Sequence, residues 1–267
     1  MSLDLDERQR AMLAEMGVQL FQPSPTPAGA DSTPAAAAAP AVALARAPNG
    51  VPPGRPAAAL PPPAVAPAAP AATALRVRPA GVADMGWPAL REAVAGCQAC
   101  KLCNHRRNTV FGVGDEQADW LIVGEAPGEN EDLQGEPFVG QAGKLLDNML
   151  RALQLDRRNN VFIANVLKCR PPGNRNPEPE EVAQCEPFLR RQVELLQPKI
   201  ILAMGRFAVQ SLLQTAEPIG KLRGRAHSYH GVPVVVTYHP AYLLRNPPDK
   251  AKAWADLCLA AALIRQG

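Results

Sequence analysis

Aromatic side chains are scarce in this chain: three Trp, three Tyr and six Phe among 267 residues. Residues 22–80 hold none of them, and only one acidic side chain, Asp31. The same stretch holds 15 of the 29 prolines and 22 alanines. A segment so poor in groups that can be buried does not offset its ordering entropy. The composition therefore predicts a disordered, partly polyproline linker. No run approaches the roughly 20 apolar residues that span a bilayer, which argues against a membrane-spanning helix. Acidic residues crowd the start and no apolar run follows them, which argues against a secretory signal peptide. Neither sign of charge is in excess. The formal net charge is +3, and residues 81–267 carry 22 basic against 20 acidic side chains. A phosphate-binding surface would be a local patch and not a global field.

These shifts in composition divide the chain into residues 1–21, a short N-terminal segment; 22–80, the linker; and 81–267, a folded domain long enough for one well-formed core. Within the first segment, residues 5–20 have the spacing of an amphipathic helix, with Leu5, Met12, Met16 and Leu20 on its apolar side. Two readings stand side by side: a helix that docks on a protein partner or on the main domain, and a solvated tail. Basic residues in the folded part cluster at Arg106-Arg107, at Lys168, Arg170 and Arg175, at Arg190-Arg191, and at Lys221, Arg223 and Arg225. Each cluster taken alone reads as a solvated face.

Six cysteines without a secretory signal point to a reducing compartment, and the cytoplasm is the expected location. Cys97-x2-Cys100, Cys169 and Cys185 can close a four-thiolate metal site, a ligand set that suits zinc or an iron–sulfur cluster. Cys103 repeats the x2 spacing, so spacing alone leaves the ligating pair open. Cys258 lies on an apolar helical pattern with Trp254, Leu257, Ala261 and Leu263 and reads as core.

From Asp119 onward, strand and helix signals alternate. Strands are predicted at 120–123, 161–166, 199–205 and 232–237, and helices at 141–153, 178–196, 206–213 and 249–265. Continuous apolar strands alternating with helices imply an α/β fold: a three-layer α/β/α sandwich around a central, mostly parallel, four-stranded sheet. Ligands of such sheets bind beyond the carboxyl ends of the strands. Three of those ends bear Glu125, Asn165 and His239, and the fourth offers Gly205 and Arg206. Polar residues at equivalent places on neighbouring strands point to a shared site.

Five co-linear motifs occupy these strand ends and loops. They are Gly124-Glu-Ala-Pro-Gly-Glu-Asn-Glu-Asp132, Gly135-Glu-Pro-Phe-Val-Gly140, Ala142-Gly-Lys-Leu-Leu146, Asn165-Val-Leu-Lys-Cys-Arg-Pro-Pro172 and His239-Pro-Ala-Tyr-Leu-Leu-Arg245. Together with the cysteines they resemble the family 4 uracil-DNA glycosylases, over about residues 90–265. The resemblance implies hydrolysis of the N-glycosidic bond of uracil in DNA, the first step of base excision repair, by a monomeric enzyme with a 4Fe-4S cluster. The family's form Cys-x2-Cys-x-Leu, followed by Arg, fits Cys97, Cys100, Leu102 and Arg106. It implies Cys97, Cys100, Cys169 and Cys185 as ligands and leaves Cys103 out. Zinc remains the alternative.

The resemblance also implies roles for single residues. Phe138 stacks on uracil, Asn165 reads its edge, and His239 donates to uracil O2. Glu125 and Ala126 belong to the first motif at the base; the superfamily's best-known branch has Asp where Ala126 stands. Water activation then falls to Glu125 or Glu131. Arg170 meets phosphate, and Leu243, Leu244 or Arg245 fills the gap left by the extruded base. His105, His227 and His230 read as surface residues. The competing class is a non-catalytic, metal-stabilised DNA-binding module. A convergent polar pocket argues against it, because simple binding needs none.

Overall fold

The strands of this protein are short, and what orders them is burial on both faces. The computed structural model describes residues 78–266 together with Ala11, Met12 and Glu15. Its middle layer is a six-stranded sheet of β1 (Val113–Gly114), β2 (Trp120–Gly124), β3 (Val161–Asn165), β4 (Ile200–Met204), β5 (Ala226–Tyr229) and β6 (Val232–Thr237). The spatial order is β1-β3-β2-β4-β6-β5. The four central strands are parallel, and the edge strands β1 and β5 run antiparallel to their neighbours. The α/β class and the parallel centre agree with the sequence pattern; the count of four strands becomes six. Both additional strands are edges. β1 has two residues, and β5, Ala226-His-Ser-Tyr229, buries only Tyr229, so neither carries an apolar run.

Every residue of β2, β3 and β4 is buried, and the period of two then deals them to opposite sides. Leu121 and Val123 of β2 enter one core; Trp120 and Ile122 enter the other. Around the sheet lie α1 (Trp87–Ala95), α2 (Glu129–Gln134), α3 (Gln141–Ala152), α4 (Pro179–Leu196), α5 (Arg206–Leu213), α6 (Ile219–Leu222), α7 (Pro240–Arg245) and α8 (Lys250–Gln266). The first core takes Leu90 and Val94 from α1, Phe188, Leu189 and Val193 from α4, and Val209 and Leu212 from α5. The second takes Leu145, Leu146 and Met149 from α3, Leu243 from α7, and Trp254 and Leu257 from α8. A fully buried Leu or Ile contributes about 1.5–3 kcal/mol, so these two faces hold the three layers together.

Cys258 is exposed, contrary to the core position expected for it. The buried stripe of α8 runs through Ala253, Trp254, Asp256, Leu257 and Ala260, and Cys258 falls about 100° beyond Leu257 around the helix. Ala11, Met12 and Glu15 are helical, and Met12 is half-buried against the second core. The rest of the helix predicted over 5–20, and the linker as far as residue 77, lie outside the described residues. Among the described residues, no helix is long and apolar enough to cross a membrane.

Candidate active site

The parallel ladder continues past the strand ends and builds the floor of a cleft. Gly124 is in register with Asn165. Beyond them Val166 N–H donates to Gly124 O (3.0 Å) and Leu167 N–H to Glu125 O (3.1 Å). Glu125 and Asn165 are thereby fixed side by side. A cleft of about 900 Å³ opens above them, and Glu125, Ala126, Glu131, Phe138, Asn165, Arg206, His239 and Arg245 are among its walls. Strand ends that the sequence separates by up to 114 residues meet here, because parallel strands present their carboxyl ends on one edge.

Asn165 is 2 % exposed, and its Oδ1 is buried without a hydrogen-bond partner. Such an acceptor costs about 1–3 kcal/mol, and its neighbours are arranged to keep it open. A Cβ at Gly124 would lie 2.4 Å from Asn165 Oδ1 and 2.6 Å from Phe138 Cζ, so only glycine permits this floor. The Phe138 ring stacks with the His239 ring at 5.4 Å and 28°.

His239 ends β6's extension and caps α7, its Nδ1 accepting from Ala241 N–H at 3.2 Å. Burial, with Arg245 acting in the same direction and Glu131 against it, holds its pKa down at about 4. The imidazole is therefore neutral at neutral pH. With Nδ1 used as an acceptor, the proton sits on Nε2, which becomes a donor. Burial acts oppositely on Glu125, pushing its carboxyl up to about 7 against the pull of Arg206.

The two carboxylates thus differ. Glu131 Oε2 accepts from Gly128 N–H (3.1 Å), and its Oε1 from Val139 N–H (3.0 Å) and Gly140 N–H (3.2 Å). Its lone pairs are committed to holding the turns on either side of α2. Glu125 has no such commitment to backbone and faces Arg206.

Beside the cleft is a nest of thiols. Cys169 and Cys185 are buried with Leu102 and Leu167, and Cys100, Ala126 and Val182 pack against them. Cys97 and Cys100 both lie near enough to Cys169 to act on it electrostatically. Cys97, Cys100, Cys169 and Cys185 form no disulfide. Burial pushes the Cys169 thiol up to about 11 and that of Cys185 up to about 12. Arg106 answers with a charged donor, Nη1 to Cys169 Sγ at 3.2 Å, while it also holds Cys97 O at 2.8 Å. Among the described residues, no group of three or more His, Cys, Asp and Glu side chains is arranged to hold a metal ion. The donor chemistry nevertheless fits a metal centre: several soft sulfur donors, of which Cys169 and Cys185 are buried, with a cation in attendance. Cys103 is also close to Cys100, and its Sγ donates to Asn104 Oδ1 at 3.5 Å.

Two expectations are corrected. Leu243 is fully buried in the second core and offers no exposed surface, whereas Leu244 is 44 % exposed. One helical step separates them, and α7 turns the first inward against α3. Lys168 is not on a solvated face: it is 1 % exposed, its Nζ donating to Asn165 O (2.8 Å) and Gln192 Oε1 (2.6 Å). Arg170 is half-buried and donates to Asn174 Oδ1 at 2.7 Å, near Glu129.

Tyr238 and Tyr242 also line the cleft, stacked at 5.0 Å. Two of the chain's three tyrosines flank His239-Pro240, a concentration of a scarce residue that could have singled them out. Arg175 and Asn176 join from the loop before α4, where Arg175 is gripped by buried Glu181.

The model of the uracil DNA glycosylase superfamily matches residues 111–258, and the chain belongs to that superfamily. Within it the chain is similar to type-4 uracil-DNA glycosylases. That of Saccharolobus solfataricus is 45% identical over 167 residues, 60% of this chain and 77% of that protein. That of Archaeoglobus fulgidus is 46% identical over 171 residues, 61% and 85%. That of Thermotoga maritima is 46% identical over 163 residues, 60% and 84%.

Proposed function

We propose that this protein is a uracil-DNA glycosylase of the type-4 kind, which takes a uracil extruded from DNA and hydrolyses its N-glycosidic bond, initiating base excision repair. The observation that carries the reading is the orphaned, buried Asn165 Oδ1. Uracil supplies what it wants: N3–H donates to Oδ1, and O4 accepts from Nδ2. Cytosine presents a lone pair at N3 and a donor at N4, the reverse pattern. Sites that depend on such buried bonds reject the mismatched analogue by about 10⁴–10⁵-fold.

The remaining roles follow from position and protonation. A base inside a duplex is out of reach, so it must first be flipped, at least cost from a mismatch. Phe138 provides the wall on which it stacks. Neutral His239 donates from Nε2 to uracil O2, where negative charge grows as the bond breaks. Glu125 as carboxylate faces the electron-poor sugar and takes a proton from the attacking water; C1′–N1 breaks and the water oxygen bonds to C1′. Glu131, held by three backbone donors, positions this machinery without taking part in it. Leu244 fills the gap in the stack, with Arg170 and Arg245 meeting phosphates.

Cys97, Cys100, Cys169 and Cys185 would hold a 4Fe-4S cluster in residues 81–267, the catalytic domain. When bound, the cluster supplies a covalent staple and no redox step in the hydrolysis. Fresh protein absorbing near 400 nm supports this assignment; a zinc-only site is colourless there. The non-catalytic DNA-binding alternative is tested together with the activity. A uracil-containing oligonucleotide incubated with the protein should break at the uracil on alkali treatment, and an intact strand sinks the proposal. Asn165→Asp should lower uracil release by on the order of 10²–10³-fold in single turnover. Unchanged uracil selectivity would refute the role given to Asn165.

A further inference from the structure

Phe138 has φ of 55°, a left-handed conformation that a bulky residue holds only when its surroundings over-determine it. Three groups do so. The absent Cβ of Gly143 makes a seat for the Phe138 carbonyl, since an added one would lie 1.7 Å from that oxygen. Glu131 binds the two N–H groups that follow, at Val139 and Gly140. The third is Arg157, from the loop between α3 and β3. Its Nη2 donates to Phe138 O at 2.8 Å and its Nη1 to Pro137 O at 3.5 Å. Its Nε donates to Asp147 Oδ1 on α3 at 2.9 Å, and only 17 % of its side chain is exposed. A planar fork spans these three acceptors, which an ammonium cannot do from one position.

We propose that Arg157 is a positioning residue for base recognition, holding Phe138 at the angle on which the extruded uracil stacks. Arg157 is not among the residues that line the cleft, so it acts through the Phe138 backbone alone. Asp147 orients the guanidinium and belongs to the same device. Nothing in Asp156-Arg-Arg-Asn159 announces this; the run has the composition of a solvated turn. The inference rests on Phe138 being the stacking wall of a uracil site.

The test compares Arg157→Gln, Arg157→Lys and Asp147→Asn with the unmodified full chain. KM and kcat are read on a uracil-containing oligonucleotide, together with inhibition by free uracil. Loss of a charge-assisted hydrogen bond spans about tenfold to a hundredfold. Arg157→Gln should raise KM and weaken free-uracil inhibition by that factor, with a smaller effect on kcat. Arg157→Lys should recover part of the loss, and Asp147→Asn should fall between it and the unmodified chain. A merely structural role lowers the folded fraction, and so the apparent kcat, while leaving KM and uracil inhibition as they were. That result in the variants overturns the inference while the uracil reading stands. An unmodified chain that releases no uracil overturns both.

Discussion

Burial drives the pKa values of Glu125 and His239 in opposite directions, because in each case it favours the uncharged form. The Glu125 carboxyl, raised to about 7, becomes a carboxylate only as pH climbs through neutrality. The His239 imidazole, lowered to about 4, is already a neutral donor well below that. If carboxylate Glu125 is the active form, kcat/KM in single turnover should rise with pH through about 7 and level off above it. No loss from His239 should enter between about pH 5 and 7. In Glu125→Gln that limb should vanish and the plateau should drop by about 10²-fold. A limb that survives the substitution assigns the titration to another group. The candidates Glu125, Asn165 and His239 were legible in the sequence because each is a polar residue ending an apolar strand. The difference in surroundings between Glu125 and Glu131 was not, since it arises from backbone donors of residues 128, 139 and 140 that hold Glu131.

At the level of elements, the meeting of α3 with the Phe138 loop is the tightest contact at the site. Gly143 sits in α3, where Ala would ordinarily favour the helix by up to about 1 kcal/mol. Here a methyl group would meet the Phe138 carbonyl at 1.7 Å, and the backbone on one side must move. Gly143→Ala is expected to lower stability by about 1–3 kcal/mol, the scale of overpacking, and to weaken uracil binding with it. Thermal unfolding and uracil inhibition check both effects; a raised Tm would show that helix propensity outweighs the contact. The long helices were readable from periodicity to within a residue or two at each end. The edge strands β1 and β5 were not, because two residues in one case and a run that buries only Tyr229 in the other carry no periodic signal. Tertiary pairing with β3 and β6 alone makes them strands.

Across the whole molecule, the thiol nest and the cleft share a wall. Ala126 lines the cleft and packs on the nest. Lys168 reaches Asn165 O, and its own carbonyl accepts from Val110 N–H at 2.8 Å. Cys169 is the next residue, so one strand and its loop serve both sites. Cys169→Ala should therefore weaken DNA binding or lower Tm, and leave the preference for uracil over cytosine as it was. Binding to a uracil-containing duplex, unfolding, and release rates on the two bases measure this. A changed base preference would mean that the nest shapes the pocket directly.

Local pattern alone determined the layered α/β class, the four parallel strands, the polar residues at their ends and the spacing of the cysteines. The strands show as short apolar runs and the helices at a period of 3.6 residues, while the polar strand ends and the cysteines are read directly from their places along the chain. Tertiary structure decided which neighbours those residues keep. It buried Leu243 and left Leu244 outside, turned Lys168 from an apparent surface charge into a buried tie, and brought Arg157 behind Phe138. The physical reason is the same in each case. Periodicity states which residues share a face, but what covers that face depends on segments distant in the chain.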